Sequence, residues 1–112
     1  MTNLASKPCL PLRGDEKPLS PDQIKEYLDQ LPDWKIVERE DIPRLERSFP
    51  FPDFKGALHF TNQVGEMAEE VDHHPAILVS WGRAAVSWWT HVIRGLHEND
   101  FIMAARTNDL YQ

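Results

Sequence analysis

Residues 76–91 read "AILVSWGRAAVSWWTH". Two runs rich in β-branched and aromatic residues, 76–81 and 84–91, flank a Gly-Arg pair, and this pattern predicts an antiparallel hairpin. Side chains alternate along a strand, so Ala85, Ser87, Trp89 and His91 share one face, and Ala84, Val86, Trp88 and Thr90 the other. One of the adjacent tryptophans then faces away from the core, as a lid on a flat ligand or a surface for self-association. Pairing across a break at 82–83 sets residue 91 level with residue 74.

Just before the hairpin stands "EEVDHHP" at 69–75. Pro75 disfavours a helical conformation for His74, so it fixes where the preceding helix stops. An isolated histidine pair reads as a solvated surface loop. The hairpin register changes that reading, because it brings His91 to the same end of the sheet as His73 and His74. Two chemistries suit three gathered imidazoles. With a nearby carboxylate they resemble a catalytic zinc shell. Without metal they suit proton transfer, since imidazole gains and loses its proton near neutrality. Glu69 and Asp72 are placed to orient a ring or to stabilise its cationic form. His59 and His97 read as ordinary surface residues. Asp100, about the third residue of the last helix, suits the helix dipole and can cap. Trp81 reads first as a core residue.

Working outward, "SPDQ" at 20–23 is a helix start, with Ser20 as N-cap, Pro21 at N1 and Gln23 closing a capping box. Ile24, Tyr27, Leu28 and Leu31 recur at helical spacing until Pro32. Short strands follow over 34–38 and 43–51, the second with Pro50 and Pro52 at its end, which suggests a sheet edge. Asp53 caps a second helix whose stripe is Ala57, Phe60, Val64, Met67 and Val71. Glu66, Glu69, Glu70 and Asp72 crowd its C-terminal end, where acids oppose the helix dipole at a cost of up to about 1 kcal/mol each. A last helix begins near Glu98, with Phe101, Ala104, Ala105 and Leu110 as its buried stripe. The order α-β-β-α-β-β-α predicts an α+β fold: a four-stranded antiparallel sheet with three helices on one face. Residues 1–19 carry Pro8, Pro11 and Pro18 and no apolar period, and read as an extended or partly disordered arm ahead of one domain at 20–112.

The whole chain has 112 residues, a net charge of −6 and a single cysteine, Cys9. One domain of this size buries roughly two-thirds of its unfolded surface, so it needs no staples. A lone cysteine permits neither an internal disulfide nor a cysteine zinc cluster, and it suits a reducing compartment. Cys9 itself reads as an exposed thiol. The charge disfavours nucleic acid and anionic membrane as partners. No secretory pattern or bilayer-length apolar run is present, so the expectation is a cytoplasmic protein.

Glu69, His73-His74-Pro75, Trp81, His91 and Asp100 stand at spacings that resemble the signature of the pterin-4a-carbinolamine dehydratase family. "TH" at 90–91, "GL" at 95–96 and "DF" at 100–101 are similar to a run in that family. The resemblance covers about residues 20–110 and implies the same sheet-and-three-helix fold. It implies dehydration of 4a-hydroxytetrahydropterin to the quinonoid dihydropterin, which recycles the cofactor of aromatic amino-acid hydroxylases. It implies no metal and no organic cofactor, and so favours proton transfer over zinc. By position it makes His73 and His91 the acid and base and His74 a substrate-binding histidine. Glu69, Asp72, Pro75, Trp81, Thr90 and Asp100 fall among positions that bind substrate or orient the site. Homodimers or homotetramers are implied, with a hydroxylase as a further partner. The alternative is a non-catalytic pterin-binding or partner-regulating protein, linked to molybdenum-cofactor enzymes. The chain departs from the family pattern at Ile77, where an aromatic is common. It departs at Arg94, in place of the first glycine of a pair. It departs again at His97, where a serine or threonine often caps the last helix; losing that cap would cost about 1 kcal/mol.

Overall fold

The computed structural model describes residues 3–111. Its elements are α1 (Pro21–Leu28), β1 (Lys35–Arg39), β2 (Ile42–Pro50), α2 (Phe54–Val71), β3 (Ala76–Ser80), β4 (Arg83–Trp88) and α3 (Glu98–Leu110), with 3₁₀ turns at Leu4–Ser6 and His91–Ile93. This is the α+β order expected from the sequence. Both halves of the Ser20–Gln23 capping box form at α1, and Asp53 accepts the Gly56 amide at the start of α2. No helix among the described residues is long and apolar enough to cross a membrane.

The strands run in the order β1-β2-β4-β3, all antiparallel. β2 is therefore a central strand, against the edge that its prolines suggest. Its pairing with β4 covers Leu45 to Pro50. Pro43 lies beyond that stretch, opposite Glu38 of β1 alone, and Pro50 is the last residue of the strand. Neither proline interrupts the shared ladder.

The hairpin exists, but its register differs from the expected one. Ala76 pairs with Ser87 and Ser80 with Arg83, so the two-residue turn is Trp81-Gly82. Gly82 takes φ +77°, open to glycine and strained for other residues. Extending that register sets His74 level with Trp89 and not with His91. β4 stops at Trp88, and His91 belongs to a 3₁₀ turn. Trp81 is 76% exposed at the turn, so it is no core residue. The outward tryptophan is Trp89. It is covered, with the Arg44 guanidinium 4.0 Å from its ring and the His91 ring 4.5 Å away.

The core lies between the inner sheet face, with Leu45, Phe49, Val86 and Trp88, and the helices. α2 contributes Ala57, Phe60, Val64 and Ala68. α3 is buried all round its middle, where the consecutive residues Phe101, Ile102, Met103 and Ala104 are all closed to solvent. A helix apolar on every side needs cover on every side. The 3₁₀ turn at Leu4–Ser6 packs on α3, and Leu4 is itself buried. Arg106 of α3 donates hydrogen bonds to the Ala5 and Lys7 carbonyls, and Lys7 pairs with Glu98 at 2.8 Å.

Candidate active site

α2 ends at Val71, and Asp72 then adopts the left-handed conformation, φ 54° and ψ 42°. Aspartate tolerates this region better than most residues. The His73 amide donates back to the Ala68 carbonyl at 3.2 Å, a bond that closes the last turn of the helix. The chain thereby reverses, and Pro75 carries it into β3. His73 turns inward and His74 outward.

The His73 side chain is only 10% exposed. Its ring lies parallel to that of Trp88, 5.8 Å away with 2° between planes. Its Nε2 is 2.7 Å from Oδ1 of Asp100, which is fully buried. The other carboxyl oxygen of Asp100 accepts from the Thr90 hydroxyl at 2.8 Å and from the His97 backbone N–H at 2.9 Å. A carboxylate only accepts, so His73 Nε2 carries a hydrogen and donates it. In the neutral form of such a ring, Nδ1 is the acceptor. Among the described residues, Arg44 Nε is the one fully buried side-chain nitrogen or oxygen without a partner. No group among the described residues bonds to His73 Nδ1, and His73 itself lines the cleft described below.

His74 Nε2 sits 2.7 Å from Glu69 Oε1, with the two side chains 52% and 77% exposed. A pair this wet contributes well under about 1 kcal/mol. It does give the acid-rich end of α2 one local use. His91 leaves the sheet by a different route from the one expected. Thr90 bridges to Gly95, and the 3₁₀ turn between them presents His91 at the surface beside Trp89.

A cleft of about 610 Å³ lies over these groups, within the range for small-ligand sites. Asp72, His73, His74, Thr90 and His91 line it together. Asp100 stands behind His73, whereas Glu69 meets His74 from outside the lining, in solvent. Pro75 and Trp81 are not among the lining residues; Pro75 ends the turn and Trp81 is at the far end of its hairpin. The cleft also includes Cys9–Leu12 and Asn99, which the sequence reading passed over. Asn99 is buried, and its amide exchanges two hydrogen bonds with the backbone of Leu10. Its position next to Asp100 was the one available signal. Cys9 is half-buried, not exposed, and burial raises its thiol pKa against the opposing pull of Arg106. It is correspondingly poor in thiolate.

The three imidazoles do not gather as metal ligands. One nitrogen of His73 is held by Asp100 and one of His74 by Glu69. Among the described residues, the group whose ligand atoms lie within 4.8 Å of one another is Glu69, Asp72 and His74, all exposed.

Two departures from the expected pattern have structural answers. His97 replaces the missing cap: its Nδ1 accepts the Asn99 amide at 3.0 Å while Asp100 accepts the His97 amide, a capping box with an imidazole in it. His97 is thus not an ordinary surface residue. Arg94 takes φ 49° and ψ 45°, the left-handed region where a glycine is relaxed.

Comparison with known proteins gives the chain a family and a shared fold. The profile of a family described as "Pterin 4 alpha carbinolamine dehydratase" matches residues 17–110. Proteins of Microcystis aeruginosa and Chlorobium limicola, each named "Putative pterin-4-alpha-carbinolamine dehydratase", are 50% identical over 112 residues, all of this chain and 97% and 99% of theirs. The crystal structure of a transcriptional coactivator/pterin dehydratase from Brucella melitensis superposes with a TM-score of 0.78 at 32% identity, covering 86% of this chain and 100% of that one. A pterin dehydratase-like protein, identified as a RuBisCO assembly factor in the α-carboxysome, shares the fold with a TM-score of 0.59. It is 20% identical, over 70% of this chain and 89% of its own.

Proposed function

This chain belongs to the pterin-4a-carbinolamine dehydratase family, and we propose that it dehydrates 4a-hydroxytetrahydropterin to the quinonoid dihydropterin by histidine acid–base catalysis. The observation that carries this reading is the buried Asp100 holding His73 at 2.7 Å in a cleft shared with His74 and His91.

The reaction removes hydroxide from C4a and a proton from N5. His73, its Nε2–H donated to Asp100, offers Nδ1 to take the N5 proton. His91, on whose ring no carboxylate of the described residues sits, brings a proton to the departing oxygen, which leaves as water. Solvent returns both rings to their starting states, so proton count and charge balance over the cycle. Each positioned acid or base contributes about 10²–10⁴-fold. His74, steadied by Glu69, binds substrate at the mouth, and Asp72 adds an acceptor there. Thr90 holds Asp100 in place. In this reading residues 20–112 form the catalytic domain, and the quinonoid product serves an aromatic amino-acid hydroxylase again only after a separate enzyme has reduced it by two electrons.

The test is dehydration by His73→Ala and His91→Ala variants, with circular dichroism to show that each is folded. We expect losses of about a hundredfold or more in each. Wild-type rates in both would sink the mechanism.

A second reading adds a protein partner. Leu78 and Trp81 on the edge hairpin are 64% and 76% exposed, an apolar surface suited to self-association into a dimer or tetramer. Sedimentation of Trp81→Ala should then show smaller particles than wild type. Equal particles would remove this surface from the reading.

A further inference from the structure

The cleft is lined by two unlike sets of residues. One carries the histidines, Asp72 and Thr90. The other is the segment Cys9–Leu12, which lies outside the matched family region of 17–110. That segment is fastened through its backbone. Asn99 donates to the Leu10 carbonyl at 2.7 Å and accepts the Leu10 amide at 3.1 Å. Upstream, Arg106 holds the Ala5 and Lys7 carbonyls; downstream, the Leu19 amide donates to the Leu96 carbonyl at 2.9 Å. These bonds engage the backbone alone; Cys9 packs half-buried against the core and Leu12 is half-buried, while the Leu10 side chain stays exposed at the cleft. Leu10 is 52% exposed there, and Val92, which lines the same cleft, is 61% exposed. Large apolar side chains held in water by a fixed backbone gain when a ligand covers them.

We propose that Cys9–Leu12 is a substrate-contacting wall, which packs against the apolar flank of a bound pterin while the histidine wall takes its polar edge. The proposal rests on the dehydratase reading above and assigns the arm to binding, with no part in proton transfer. Leu10 and Leu12 make the contact, and Asn99 is a positioning residue that keeps Leu10 in reach. An arm that served only to cover α3 would need Leu4 and the Arg106 bonds, and would be indifferent to the side chains at 10 and 12.

The experiment measures binding of biopterin, by its fluorescence, to the full chain as wild type, as Leu10→Ser/Leu12→Ser, and as Asn99→Ala. Dehydration kinetics are followed in parallel. In the double variant we expect the Kd to rise about fivefold to tenfold and KM to rise with it, while kcat stays within about twofold. Asn99→Ala should raise KM similarly and speed amide exchange over residues 8–13. A double variant that is folded and binds biopterin as tightly as wild type overturns the proposal and leaves the dehydratase reading intact. Wild-type protein that neither binds biopterin nor dehydrates substrate overturns the dehydratase reading, and the substrate assigned to the wall falls with it.

Discussion

Asp100 and His73 lie 27 positions apart in sequence and meet at 2.7 Å beneath the cleft. The carboxylate is closed to solvent and is met by three donors from three parts of the chain: His73, Thr90 and the His97 amide. One side chain thus joins the end of α2, the exit from β4 and the start of α3. Position, tautomer and local stability all depend on it.

Asp100→Asn replaces one acceptor oxygen by a donor NH₂ facing donors. We expect a stability loss of about 1–3 kcal/mol, from buried groups left without partners. Dehydration should fall about a hundredfold or more, since His73 loses the partner that fixes its tautomer. Urea unfolding and initial rates measure the two effects separately. A variant with wild-type kcat would contradict the orienting role.

Arg94→Gly should raise stability by about 0.5–1 kcal/mol. The left-handed φ of 49° costs a side-chain-bearing residue more than it costs glycine, although glycine gives back part of the gain as unfolded-state entropy. Thermal unfolding tests this, and a lower midpoint would show that the guanidinium contributes more than the strain costs.

His97→Ala should destabilise α3 by about 1 kcal/mol, whereas His97→Ser should match wild type, because serine also accepts the amide at the helix start. Denaturant midpoints for the pair give the answer. Equal loss in both would mean that the imidazole acts through packing and not through its bond to the Asn99 amide.

The Tyr27 hydroxyl donates to Glu98 at 2.6 Å, and Lys7 reaches the same oxygen at 2.8 Å. The hydrogen bond to Glu98, helped by burial, pushes the Tyr27 pKa up to about 12. The Lys7 hydrogen bond, then that of Tyr27, lowers the pKa of Glu98. A raised folded-state tyrosine pKa adds stability below the unfolded value of about 10, and that part is lost as pH rises toward 12. A lowered glutamate pKa adds stability above its unfolded value, and that part is lost as pH falls through the folded pKa. Absorbance titration at alkaline pH should show one of the two tyrosines ionising late, and Tyr27→Phe should remove that step. Two steps near the ordinary tyrosine value in wild type would contradict the contact.

The sequence made the fold legible because its periodicities are local. The capping box at Ser20–Gln23, the α2 stripe and the hairpin runs each mark their own element. Register was less legible. "WGR" offers glycine to either of two turns, and the choice moves His91 by two positions along the ladder. The β1–β2 turn was harder still, since Glu40 and Asp41 both take positive φ there without a glycine to announce it. His91 nonetheless reaches the cleft, but by a 3₁₀ turn that no hairpin argument contains. The arm was opaque for another reason. Its cohesion comes from Leu4, Arg106 and Asn99, contacts some 90 or more residues apart that leave no period behind. The unbroken run of buried residues from Asn99 to Ala104 in α3 was the trace of that cover, once it is known that a stripe would have needed fewer.

The central claim is tested most directly by following enzymatically generated 4a-hydroxytetrahydropterin by ultraviolet absorbance, with and without this protein, in chelator. Faster decay at sub-stoichiometric protein, unaffected by the chelator, is the predicted result, with His73 and Asp100 carrying the rate. Decay at the spontaneous rate, in the presence of protein shown to be folded, would contradict it.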